Sequence, residues 1–182
     1  MVYIFWGLLI TFIDFFGLKI NAGSFSVGLV PGFIGFLLLW RGLIVLSPES
    51  SVFKKLVPTA TAFLLVSVFM YVVFFFNLIP EDNMIKFVVQ IVYATVRLFF
   101  TYFIIRGIKD MEAKRNAEFF STKLFRLWVA VFVFNIVATM PKVGGYGLIP
   151  LLWADAFFMV RVWDAMKNYN DCLEKNGPAK EE

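Results

Sequence analysis

Six apolar stretches follow one another along the chain, near 2–17, 27–46, 56–79, 86–106, 124–140 and 147–163, separated by short polar or glycine- and proline-containing connectors. Each is close to the ~20 residues that a helix needs to cross a hydrocarbon core ~30 Å thick. The runs are unbroken rather than alternating, and in hydrocarbon a helix is the alternative to a closed barrel that satisfies every backbone group. The pattern therefore predicts an all-α, polytopic integral membrane protein: one bundle of six transmembrane helices over 1–182, built as three hairpins, with the last helix continuing into a cytoplasmic tail at 164–182. No basic segment precedes the first run and further spans follow it, so a span is expected there rather than a cleaved leader, with the mature chain starting at Met1.

Composition sharpens this reading. With 60% of residues hydrophobic, 19% aromatic, 16% charged and a mean hydropathy of +0.80, a soluble domain is disfavoured and the lipid bilayer becomes the first partner. Charge then orients the spans. Arg41, Lys54, Lys55, Arg106, Lys109, Lys114, Arg115, Lys123, Arg126, Arg161, Lys167, Lys175 and Lys180 fall toward one face, whereas Lys19, Lys86 and Lys142 fall toward the other. By the positive-inside rule both termini are cytoplasmic in a multi-pass plasma-membrane protein. The net charge of +4 is accounted for by topology and calls for no nucleic acid. Arg41, Arg106 and Arg161 sit near the inner helix ends and are read as snorkelling to headgroups, with Trp40, Trp128 and Trp163 as an interfacial belt.

Leu29-Val30-Pro31, Leu78-Ile79-Pro80 and Leu148-Ile149-Pro150 are expected at the outer face, where proline opens a helix without losing an internal hydrogen bond. In the second span Gly28, Gly32, Gly35 and Gly42 share one stripe at helical spacing. Small residues in lipid mark close helix approach, either within the chain or to a partner subunit or second copy. The segment 110–125 mixes Glu112, Lys114, Arg115 and Glu118 with Phe119, Phe120 and Leu124, and reads either as a surface-lying amphipathic helix or as an extension of its flanking spans.

The candidate chemistry lies in the few polar groups at membrane depth. Gln90, Tyr93, Ala94, Arg97 and Thr101 share one face of the fourth span, opposite Val92, Val96, Phe99 and Phe103. Arg97 lies about 11 residues, roughly 16 Å, below the outer helix end, and at mid-membrane a charge costs at least about 2.5 kcal/mol. Asp155 and Asp14 are the acids within reach, and Asn135 lies at similar depth. These six groups, Arg97, Asp155, Asp14, Asn135, Gln90 and Tyr93, are expected either to line an outward-open pocket for a small polar solute or to close into an internal ion pair fixing helix register.

The chain has no histidine, its one cysteine, Cys172, lies in the tail, and no glycine pattern matches a phosphate-binding loop. No catalytic residue, metal ligand or cofactor site is assigned. Phe5-Trp6-Gly7, Phe12-Ile13-Asp14-Phe15, Gly28-Leu29-Val30-Pro31-Gly32-Phe33-Ile34-Gly35 and Arg41-Gly42-Leu43 resemble the first hairpin of a group of small uncharacterised six-helix membrane proteins of Gram-positive bacteria. The resemblance covers about a quarter of the chain and implies a bacterial plasma membrane; Gly32 stands where the group often has Asp. The six-helix architecture is also similar to the substrate-binding subunits of energy-coupling-factor transporters, which would imply solute capture from outside. Two functions follow: a solute-binding or transport-related membrane protein, or a noncatalytic accessory or regulatory one acting through helix packing and partner contacts.

Overall fold

The computed structural model describes residues 1–15, 19–22, 25–28, 32–75, 83–139 and 144–176. Six helices account for the six apolar stretches: α1 (Val2–Phe15), α2 (Gly32–Leu46), α3 (Ser51–Phe75), α4 (Asn83–Arg115), α5 (Ser121–Thr139) and α6 (Gly144–Asn176). A short antiparallel pair, β1 (Lys19–Ala22) and β2 (Phe25–Gly28), intervenes between α1 and α2. Its register runs from Lys19 opposite Gly28 to Ala22 opposite Phe25.

That pair corrects the second span. Helix α2 starts at Gly32 rather than near residue 27, and Gly28 ends a strand instead of heading the glycine stripe. Leu29, Val30 and Pro31 lie outside the described residues; in the sequence, a proline directly before Gly32 disfavours helix in the residue ahead of it and suits a helix start just after it. The alternation of Ile20, Phe25 and Val27 around Gly23-Ser24 suits a hairpin instead. A second correction concerns Pro150, which does not open its helix: α6 begins six residues earlier, at Gly144, and carries the proline inside.

The rest of the stripe meets α1. A Cβ placed on Gly35 would stand 2.7 Å from Thr11 Cγ2 and 3.0 Å from the Gly7 carbonyl oxygen, and one on Gly42 would stand 2.9 Å from Ile4 Cγ1. With Gly32 also buried, this is an intramolecular seam in which two backbones approach as small residues permit. Helix α3 then folds back beside α2, α5 and α6 pack along each other, and α4 joins the two halves; Leu39, Leu43, Phe53, Phe100, Ile104 and Ile108 lie fully buried between them.

The end of the bundle carrying the 47–50 and 116–120 connections, called here the basic end, is organised by side-chain caps. Ser50 accepts from Val52 N at 3.2 Å, while Asp110 of α4 accepts from Ser50 Oγ at 2.6 Å and from Ser51 N at 3.1 Å. These bonds occupy donors that a helix N-terminus leaves orphaned, so α3 starts several residues before the apolar run does. Helix α4 stops where Asn116 turns left-handed (φ 49°) and Ala117 N reaches back to the Glu112 carbonyl at 3.3 Å, a Schellman-type cap. The Glu112 carboxylate then accepts from Phe119 N at 2.7 Å, Ser121 N at 2.9 Å and the Ser121 hydroxyl, capping α5. Residues 110–125 are thus the end of α4, a cap and the start of α5. No separate surface helix forms there, and the extension reading holds.

Candidate functional site: a sealed charge cluster

Helix α4 turns the face expected from its sequence toward the protein. Ala94, Arg97 and Thr101 are buried, whereas Val92 and Phe99 are exposed. Arg97 is only 2% exposed, and three neighbouring helices meet its guanidinium. Nη1 lies 3.5 Å from Oδ2 of Asp155 on α6, Nη2 donates to Oδ1 of Asn135 on α5 at 3.4 Å, and Cζ lies 4.5 Å from the centre of the Phe12 ring on α1. Asp155 and Asn135 are likewise almost fully buried, at 3% and 4%.

Each partner is held in place. Asn135 donates through Nδ2 to the Val131 carbonyl at 2.9 Å, which points its amide oxygen at Arg97. Thr101 shares its hydroxyl proton between the Arg97 and Leu98 carbonyls, both at 3.0 Å, and accepts from Trp128 Nε1 at 3.0 Å. Trp128 therefore departs from the interfacial role expected of it: its indole N–H is spent inside the bundle, tying α5 to α4. Trp163 fits the interfacial role better, being partly exposed with Lys167 over its ring at 5.5 Å.

The gap between Arg97, Phe12, Trp128 and Phe158 has no room for a water molecule. A charge pair in such surroundings is strongly attractive but bears a large desolvation cost, and good geometry decides whether the two balance. Here the pair is long, and among the described residues neither Asp155 oxygen accepts a hydrogen bond. The structure thus brings together Arg97, Asp155 and Asn135 of the six expected site residues. The side chains of Asp14, Gln90 and Tyr93 lie outside the described residues.

A second charge cluster at the basic end was not legible from sequence. Arg115 forms a two-pronged pair with Glu49, through Nε to Oε2 at 2.8 Å and through Nη2 to Oε1, and its guanidinium lies 5.6 Å from the Tyr169 ring centre. The hydrogen bond to Glu49 raises the pKa of Arg115, and burial, reinforced by the Glu49 carboxylate, pushes the Tyr169 phenol up to about 12. Glu49 and Arg115 are 66 residues apart, so no local spacing signals the contact. Among the described residues, no three acidic or thiol groups gather as metal ligands.

Comparison with family models, curated proteins and solved structures yields no match to this chain.

Proposed function

We propose that the chain is a six-span plasma-membrane protein with both termini in the cytoplasm, and that it acts without catalysis, as an accessory or regulatory subunit working through packing and partner contacts. Membrane insertion is supported by where the apolar surface lies. The stretches Ser51–Val73 and Ser121–Ala138 are long and apolar enough to cross a bilayer, yet only 17% and 22% of their most apolar windows are buried. A core helix of a soluble protein would be mostly covered. Here Leu65 and Phe69 of α3 are 66% and 65% exposed, and Trp153 of α6 is 63% exposed. Such a belt is costly in water and favourable in lipid. Between Val88 and Ile105 helix α4 carries a single charged residue, Arg97, which faces inward.

The noncatalytic reading rests on one observation: the charge cluster that the described residues form at mid-bundle depth is closed, with no space for a water molecule beside Arg97. A closed pair suits register control, because it is satisfied in one arrangement of α4, α5 and α6. The glycine stripe is already occupied by α1, so a partner subunit would dock on another face, such as the outward side of α3.

A second reading, binding of a small polar solute as in the transporter subunits of similar architecture, is favoured by the unbonded oxygens of Asp155, which a solute donor would complete. Thermal unfolding of the purified protein against a panel of small polar solutes separates the two. Under the first reading no solute raises the Tm of wild type, and the paired apolar replacement Arg97→Met with Asp155→Leu keeps the fold. A solute that stabilises wild type but not the paired variant would establish the second.

A further inference from the structure

Helices α4 and α5 part to leave a side groove of about 460 Å³, walled by Ile91, Ala94, Phe99, Tyr102, Trp128 and Phe132. Ile91, Phe99 and Phe132 are themselves exposed, so the groove opens laterally, toward the acyl chains of a bilayer. From Ile91 to Tyr102 it follows α4 for about 16 Å, the reach of an extended hydrocarbon chain rather than of a compact polar solute.

Its basic end differs in character. One turn beyond Tyr102, exposed Arg106 sets its guanidinium 5.9 Å from the Tyr102 ring centre, over the end of the groove wall. Among the described residues no carboxylate pairs with Arg106. Exposed Lys109, Lys123 and Arg126 lie on the same two helix ends. The nearby acids are engaged elsewhere: Asp110 caps α3 and Glu112 caps α5. An apolar channel therefore ends under a cation with no counterion among the described residues, which complements an amphiphile with one hydrocarbon chain along the helices and an anionic head.

We infer that this groove holds one acyl chain of an anionic phospholipid, with its phosphate on the Arg106 guanidinium. The inference rests on the membrane reading above. A zwitterionic headgroup would bring a second cation toward Lys109 and Arg126, so the site selects for net negative charge.

Native mass spectrometry of the full-length protein in detergent, titrated with dioleoyl phosphatidylglycerol, dioleoyl phosphatidylcholine or oleate, tests it. Phosphatidylglycerol should bind tighter than phosphatidylcholine, and Arg106→Gln should weaken it about fivefold, the worth of one basic side chain toward an anionic surface. Thr95→Phe, placed on the exposed rim of the groove, should weaken phosphatidylglycerol and oleate alike. Arg41→Gln, at an exposed arginine of α2 that sits beside Tyr3 and does not line the groove, should change nothing. Equal affinity for the two phospholipids, or an equal loss in Arg41→Gln and Arg106→Gln, overturns the site. So does oleate binding as tightly as phosphatidylglycerol and indifferent to Arg106. Flotation of the protein with phosphatidylcholine vesicles keeps the two ideas apart: failure to float refutes membrane insertion itself, whereas loss of lipid preference in a protein that floats refutes the groove alone.

Discussion

A guanidinium sealed among rings and aliphatic side chains is tolerable only while its counterion stays within reach. Removing one member of the Arg97–Asp155 pair leaves the other charge buried and uncompensated, so Arg97→Ala or Asp155→Ala should cost about 3–5 kcal/mol in denaturant unfolding. The paired replacement Arg97→Met with Asp155→Leu should recover most of that loss, because two apolar side chains of similar volume remove both desolvation costs. A paired variant as unstable as the single ones would show that the cluster holds more than a pair. At the basic end, Tyr169 carries a pH prediction. Its folded pKa, about 12, lies above the unfolded value of about 10, so the folded state is favoured while the phenol is protonated. That contribution is complete below pH ~10 and is lost as pH rises from there toward 12. Absorbance at 295 nm should show one late-titrating phenol, and Tyr169→Phe should remove both that phenol and the corresponding slope in stability.

At the level of elements, helix ends and helix seams are the sensitive places. Glu112→Ala uncaps the first turn of α5 and should destabilise by about 0.5–2 kcal/mol, since Phe119 N and Ser121 N lose their acceptor together. Gly35→Leu drives a branched side chain into Thr11 and the Gly7 carbonyl, where one neighbour is backbone and cannot yield. The expected loss is about 1–3 kcal/mol or more, read as a drop in Tm. A substitution at the exposed position Leu37 of the same helix, Leu37→Ala, should be close to neutral and serves as the control. The seam also explains why the stripe was legible while its first member was not: Gly32, Gly35 and Gly42 follow helical periodicity, but Gly28 ends strand β2, ahead of the start of α2 at Gly32.

For the whole molecule, the charge asymmetry makes a topological prediction. In a Cys172→Ser background, Lys114→Cys in intact cells should be protected from a membrane-impermeant maleimide, and Asp82→Cys should react with it. Reversal of that pattern would invert the bundle and move the phospholipid headgroup site to the other leaflet. Alkaline carbonate should leave the protein in the membrane fraction, because α3 presents Leu65, Val66 and Phe69 outward along its length.

Periodicity and the placement of Lys and Arg were enough, without coordinates, to number the helices, to turn Arg97 inward and to draw up a short set of companions for it, Asp155, Asp14, Asn135, Gln90 and Tyr93, because each follows from helical geometry and from the cost of charge in an apolar setting; that Asp155 and Asn135 are the ones at its guanidinium came from the structure. Which groups touch is another matter. The closure of the Arg97 cluster, the Glu49–Arg115 pair, the Trp128–Thr101 bond and the opening between α4 and α5 depend on how helices distant in sequence lean on one another. No local pattern encodes that, since the deciding energies are contacts made only once the bundle has assembled.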